Sequence, residues 1–355
     1  PMTQKKPTLV SLAESIGVSR QTVSNVLNAP QRVKPATRER VLKAVRESGY
    51  RPSAAARQLR TRRSMDLGFR LTPVTDGING AVQDRFLHAL TEAAQDAGYR
   101  LTLYSARDDE EEIRHIDELL HVADLDGFVL TSTHSGDPRT AWLQEHSVPF
   151  AAYGRPWSPT EDPLASAHPW VDIDGAAGTE SATGFLLGQG HHKIGFLGWR
   201  PDAGLGDDRR AGWHRAMEAA GIGGSLDELS AATDDDVAAG ASAVDGLLAK
   251  GVTALVCASD SLALGAFAQL RAVLPPEREP AVVGFDDTPV AAAVGLSSVA
   301  PPVADAARHI IAVLSHILAG RPVSEGPQQH HLLKPSLVVR TPYALGRTVQ
   351  RPQDG

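Results

Sequence analysis

The opening stretch places apolar side chains at helical spacing, and the rest of the chain replaces that pattern with short apolar runs alternating with amphipathic segments. In TLVSLAESIGVSRQTVSNVLN (8–28), Leu9, Leu12, Ala13 and Ile16 share one face of a helix that Thr8 can cap, and Gly17 supplies the positive φ that ends it. After a tight turn at Val18, Ser19 can cap a second helix. Its Val23, Val26 and Leu27 turn inward while Arg20, Gln21, Ser24 and Asn25 face away. The pattern predicts a helix-turn-helix whose second helix offers polar side chains to a surface. A third helix is expected from Pro35, whose fixed φ suits a first helical turn, burying Val41, Leu42 and Val45. Residues 1–7 are polar and expected to lack order.

From Met65 onward the period changes. LGFRL (67–71), RLTLYSA (100–106), DGFVLTS (126–132) and VPFAAYG (148–154) read as strands, separated by helices over 86–99 and 110–123. The Pro-rich PWSPTEDPLASAHPW (156–170) interrupts the rhythm and is read as a crossing into a second subdomain. Beyond it the alternation resumes through strands at 193–199, 254–259 and 281–285. Strand–helix alternation of this length means βαβ units, and hence two doubly wound parallel-sheet (Rossmann-like) subdomains behind a small all-α domain. The acidic runs at 108–112 and 234–236 read as solvated helix starts, since carboxylates favour helix N-termini.

A chain of 355 residues, 42% apolar, exceeds one ordinary domain and has ample core material. The single cysteine, Cys257, rules out an internal disulfide framework, and no apolar leader or membrane-length run occurs; a cytoplasmic protein without a membrane partner is expected. The net charge of −7 argues against nucleic acid until its distribution is considered. Fourteen Lys and Arg against three Glu give the first 63 residues +11, leaving −18 for the remainder. One end of the molecule is built to meet phosphates and the other to be repelled by them.

Three linked motifs now carry a resemblance. SIGVS with TVSNVLN (15–28), ATRERVLKAV (36–45) and GYRPSAAARQLRTRRS (49–64) are similar to the DNA-binding headpiece of the LacI/GalR family of bacterial repressors, and matches continue to SLVVRTP (336–342). The resemblance implies a helix-turn-helix domain over 1–50 and a hinge helix over 51–64. It further implies a periplasmic-binding-protein-like type I core: an N-terminal effector subdomain over 65–160 and 298–320, a C-terminal one over 161–297 and 321–345, and a tail over 346–355. On the recognition helix, Arg20, Gln21 and Asn25 are placed to reach base edges, and Thr22, Ser24 and Asn28 to bond phosphates. Asn25 departs from the family, where Arg is common, and predicts a different operator base pair. Lys34 stands where relatives have a capping Ser or Thr. In the hinge, Ala56 and Leu59 fall where the family enters the minor groove, Leu59 as the wedge.

The resemblance also implies an effector site. Arg209 opens an Arg-x-x-Gly-aromatic motif closed by Trp213; Asp286 belongs to a GFDD motif; Ser259-Asp260 replaces a common Asn-Asp; and Arg155 follows a Gly as in some sugar-responsive members. Guanidinium forks and carboxylates suit vicinal hydroxyls because each makes two directional bonds. Trp157, Trp170, Trp199 and Trp213 are candidate stacking faces for a pyranose. No hydrolase, phosphate-loop, zincin or dinucleotide signature occurs, so neither an enzyme, a metal nor a cofactor is expected. The expected protein is a homodimer, possibly tetramer, released from a pseudopalindromic double-stranded operator by a mono- or oligosaccharide. A corepressor-tightened regulator and a transport solute-binding protein are the alternatives.

Overall fold

The computed structural model describes residues 7–50, 63–72, 78–158, 163–201 and 204–340. The hinge segment with Ala56 and Leu59 and the tail over 346–355 lie outside the described residues. The chain divides into two compact units, Pro1–Ser64 and Met65–Gly355.

In the first unit, α1 (Leu9–Ser15) starts from Thr8, whose hydroxyl accepts from the Ser11 amide while the Ser11 hydroxyl takes the Thr8 amide in return. Gly17 adopts φ 61° and turns the chain into α2 (Arg20–Asn28), which Ser19 caps through the Thr22 amide at 3.0 Å. The helix α3 (Pro35–Ser48) begins at Pro35 without a side-chain cap from Lys34 and ends at Gly49, φ 64°. Leu12, Ala13, Val23, Val26 and Val41 bury their side chains together with Tyr50, which the helical period alone had not singled out; Leu42 and Val45 are only half-buried.

The second unit contains two six-stranded sheets. The first uses β1 (Asp66–Leu71), β2 (Arg100–Ser105), β3 (Gly127–Leu130), β4 (Phe150–Tyr153), β5 (Trp170–Ile173) and β11 (His330–Leu333), in the order β11-β5-β4-β3-β1-β2, all parallel. The second uses β6 (Ile194–Trp199), β7 (Ser230–Thr233), β8 (Ala254–Cys257), β9 (Ala281–Phe285), β10 (Ser297–Ala300) and β12 (Ser336–Val338). Its order is β12-β10-β9-β8-β6-β7, with β12 antiparallel. Connecting helices are α4 (Asn79–Asp96), α5 (Asp109–Val122), α6 (Pro138–Glu145), α7 (Gly175–Gly188), α8 (Leu205–Ala219), α9 (Val237–Ala249), α10 (Asp260–Val273), α11 (Pro289–Ala293) and α12 (Val303–Leu318).

The strand placement differs from the expected subdomain boundaries in three places. Trp170 pairs beside Ala152, so β5 belongs to the first sheet rather than the second subdomain. Ser298 pairs beside Gly284, so β10 stays in the second sheet, and only α12 returns to cover the first, packing Ala306, Ile310 and Leu314 against Leu67 and Val129. His330 pairs beside Trp170, so β11 joins the first sheet, not the second. The three crossings therefore fall after β5, after β10 and between β11 and β12. A four-residue strand carries no mark of which sheet it will join; that choice depends on long-range pairing.

Candidate functional site

On α2, Arg20 and Gln21 are exposed and Thr22, Ser24 and Asn25 half-buried, while Val23 and Val26 are buried beneath them. The helical period thus separates a packing stripe from a polar face. The Gln21 amide donates to Asn25 Oδ1 at 2.9 Å one turn away, so these two side chains form a joined polar surface. Thr22 Oγ1 is 2.9 Å from the capping Ser19 hydroxyl. The Asn28 side chain lies outside the described ones.

Between the two sheets of the core lies a cavity of about 510 Å³. Its walls come from the carboxyl ends of strands in both halves, where side chains of a parallel sheet converge. The first half contributes Phe69, Arg70, the 131–133 loop, Tyr153, Trp157 and Asp172; the second contributes Trp199, Arg209, Asp235 and Asp286. Phe86 from α4 stacks on Tyr153 with ring centroids 4.3 Å apart. Aromatic faces and paired charged groups thus share one chamber.

Arg209 is 6% exposed, with its guanidinium 3.7 Å from the centre of the Phe285 ring and 5.1 Å from that of Trp199. One Nη1 donates to the Ala258 carbonyl, and Nη2 lies 3.7 Å from Asp286 Oδ1. Its buried Nε has no hydrogen-bond partner among the described residues, nor has Trp199 Nε1. The helix carrying Arg209 is held close by Gly212: a Cβ there would lie 2.0 Å from the Ala176 carbonyl, so α7 and α8 approach as only glycine allows. Across that contact, Thr179 Oγ1 donates to the Arg209 carbonyl at 2.6 Å. The spacing of the Arg-x-x-Gly motif is therefore a packing requirement that aims the arginine.

Asp286 takes φ 109° and Asp287 φ 50°, two successive non-glycine residues in the left-handed half of the map, each costing on the order of 1–3 kcal/mol. Burial pushes the Asp286 carboxyl up to about 8 against the opposing pull of Arg209, with Asp260 and Asp235 adding to the rise. Asp172 is likewise raised by burial and pulled back by Arg155. Arg155 does not line the cavity; Nε donates to Asp172 Oδ2 at 2.7 Å and Nη2 to Asp208 Oδ2 at 3.0 Å, tying β5 of the first half to α8 of the second.

Other expected contacts move behind the wall. Asp260 accepts from the Ser298 hydroxyl at 2.6 Å and from the Thr288 amide and hydroxyl at 2.7 and 2.8 Å, so its oxygens are occupied within the second half. Ser259 caps α10 through the Leu262 amide and donates to Asp235, acting on the cavity only through that carboxylate. Trp213 is completely buried against Phe196, its Nε1 donating to the Ile194 carbonyl at 3.2 Å, and Trp170 is core as well; Trp157 and Trp199 do face the cavity. Short-range motifs identify a residue's neighbourhood in the chain but not which face of the wall it occupies.

The acidic runs also change meaning. Asp108 and Asp236 cap α5 and α9 as expected, but Asp235 lines the cavity and Glu112 is completely buried. Glu112 accepts from Arg70, from Arg139 Nη1 at 2.7 Å and from the Tyr104 hydroxyl at 3.1 Å. Arg139, 1% exposed, also holds both oxygens of Asp137 and the carbonyl of Ser132 in the cavity wall. Asp109, His134 and Asp137 bring ligand atoms within 4.8 Å of one another, and Arg139 already pairs with both of those carboxylates. Sequence gave no signal for this network, because its members are scattered from Arg70 to Arg139.

Residues 8–53 match the model of bacterial regulatory proteins of the lacI family, and residues 183–341 match the periplasmic binding protein-like domain. The HTH-type transcriptional regulator CelR of Thermobifida fusca is 35% identical over 297 residues, 81% of this chain and 84% of that protein. AscG of Escherichia coli (strain K12) is 32% identical over 321 residues, 88% and 92% of the two chains. Among solved structures, the complex of the transcriptional regulator CelR with cellobiose is 30% identical with a TM-score of 0.67, over 94% of this chain and 99% of that one. The lac repressor dimer bound to operator and the anti-inducer ONPF, at 23% identity, shares the fold with a TM-score of 0.75 over 95% and 98%. Among the described residues no helix is long and apolar enough to cross a membrane. The capped helix-turn-helix, the two-sheet core and full-length relatives of this identity agree: the chain belongs to the lacI family of bacterial regulatory proteins, the HTH-type DNA-binding transcriptional regulators.

Proposed function

We propose that the protein is a homodimeric repressor released from a pseudopalindromic operator when a neutral mono- or oligosaccharide enters the cavity between the two sheets. One observation carries this reading. The chamber sets the aromatic faces of Trp157, Trp199 and Phe69 beside Arg209, Asp172, Asp235 and Asp286, and apolar ring faces with directional donors and acceptors are what a sugar ring requires. The occupancy of CelR by cellobiose supports the same class of ligand. Arg209 and Asp286 would bond hydroxyls, Arg155 would set the distance between the halves, and Ser259 and Asp260 would hold the wall.

On DNA, Arg20 and the joined Gln21–Asn25 pair would read base edges, with Thr22, Ser24 and Asn28 on phosphates and Leu59 wedged at the operator centre. Ligand and operator then oppose each other through a coupling of about 1–3 kcal/mol, felt equally by both. The test is an operator-binding titration by anisotropy, repeated with a panel of mono- and disaccharides including cellobiose and glucose. Weakened operator binding by a sugar that also shifts the melting temperature supports induction. Tightening by the same sugar replaces it with corepression, and a panel with no effect on either measurement removes the sugar reading.

A further inference from the structure

Besides Arg155, a second arginine reaches from the first half of the core to the second. Arg85 projects from α4 of the first half, flanked by the cavity residues Asp84 and Phe86, and reaches the turn after β9 in the second half. Its Nη2 donates to the Asp286 carbonyl and its Nη1 to the Asp287 carbonyl at 3.3 Å. Both residues hold their backbones in the left-handed region, φ 109° and 50°. The rest of the turn is fixed from its own side: the Asp286 amide donates to Val299 at 2.8 Å, the Asp287 amide to the Ser298 hydroxyl at 3.0 Å, and Arg340 pairs with the Asp287 carboxylate at 2.6 Å.

Two carbonyls turned out by strained peptides are acceptors that neither a strand nor a helix satisfies, and a cation is their strongest donor. Asp286 itself is one of the residues that line the chamber. We infer that Arg85 is a positioning residue: from the opposite half it holds the Asp286 peptide, aims its carboxylate into the cavity, and converts a shift of that carboxylate into a change in how the halves sit. The role in ligand capture rests on the sugar reading above; the clasp itself does not.

The test compares the full-length protein with Arg85→Met, Arg85→Lys and Arg340→Met by native-state hydrogen exchange and by titration with cellobiose and glucose. For Arg85→Met, amide exchange in 285–292 is expected to rise about tenfold while β8 stays as protected as in the parent. Arg85→Lys, which keeps one charged donor, should fall between. Arg340→Met should loosen the turn without altering exchange along α4, since it acts within the second half. Where the parent binds a sugar, Arg85→Met should weaken that binding about tenfold and Arg85→Lys should restore part of it. Unchanged exchange in 285–292, or an equal rise in β8, overturns the clasp. If neither sugar binds the parent, the sugar reading loses its support while the exchange results still decide Arg85.

Discussion

Arg209 Nη2 and Asp286 Oδ1 stand 3.7 Å apart, inside the reach of an ion pair and beyond that of a direct hydrogen bond. The separation matters because both groups are buried on the cavity wall, and the arginine Nε has no hydrogen-bond partner among the described residues. A pair locked at contact distance would be a strut; a pair held slightly apart retains bonding capacity for a hydroxyl. Arg209→Ala is therefore expected to abolish the sugar-dependent shift of operator affinity and leave operator binding without sugar unchanged. Full retention of the shift in anisotropy titrations would move the ligand away from this wall.

Asp286 makes that wall pH-sensitive. Its folded pKa, about 8, lies above the ordinary 3.8, so between those values the folded state holds a proton that the unfolded chain releases. Stability contributed by the protonated form is complete below 3.8 and is lost as pH climbs through about 8, with a slope on the order of 1 kcal/mol per pH unit. Asp286→Asn removes this titration. Urea midpoints of the variant relative to the parent should rise steadily from acid to alkaline conditions, and a difference independent of pH would refute the assignment.

His168 works in the opposite sense. Burial lowers its pKa to about 4, opposed by Asp137 and reinforced by His330, and its buried Nε2 has no hydrogen-bond partner among the described residues. The unfolded chain takes up a proton near 6.5 that the folded one refuses, so stability is full above 6.5 and declines as pH falls toward 4, by up to about 3 kcal/mol. His168→Gln should flatten the acid limb of the stability curve. An acid limb as steep as the parent's would place the loss elsewhere.

Arg155 neutralises two carboxylates at once. Replacing it with Met leaves Asp172 buried beside a lost cation and is expected to cost about 3–5 kcal/mol, the typical penalty for orphaning a buried charge. Adding Asp172→Asn should recover part of that loss in urea denaturation, and no recovery would indicate that Asp208 is the partner that matters.

Gln21 and Asn25 share a hydrogen bond, so their readout of DNA should be coupled. A double-mutant cycle with alanine at each is expected to show about 0.5–3 kcal/mol of non-additivity in operator binding. Arg20→Ala should weaken specific binding by about 1–3 kcal/mol and relax preference at one base pair. Strict additivity at Gln21 and Asn25 would mean that they read the duplex independently.

The sequence by itself settled whatever is encoded within one or two turns of chain. Thr8, Gly17 and Ser19 delimit the first two helices because capping and positive φ are local chemistry, and the concentration of arginine and lysine before residue 64 marks the DNA-facing end without any contact being known. The alternation of apolar runs and amphipathic helices pointed to the parallel-sheet core, whereas Arg209 and Asp286, which only the family resemblance singled out, are among the residues that line the cavity.

Only the tertiary structure decided which sheet takes β5, β10 and β11, that Trp213 and Asp260 are walled in, that Asp172 and Asp235 face the chamber, and that Arg85 spans the halves. Each of these depends on partners far away in the chain. A strand's period fixes which face its side chains take but not its neighbour, and a carboxylate's burial is set by elements that its own segment does not contain.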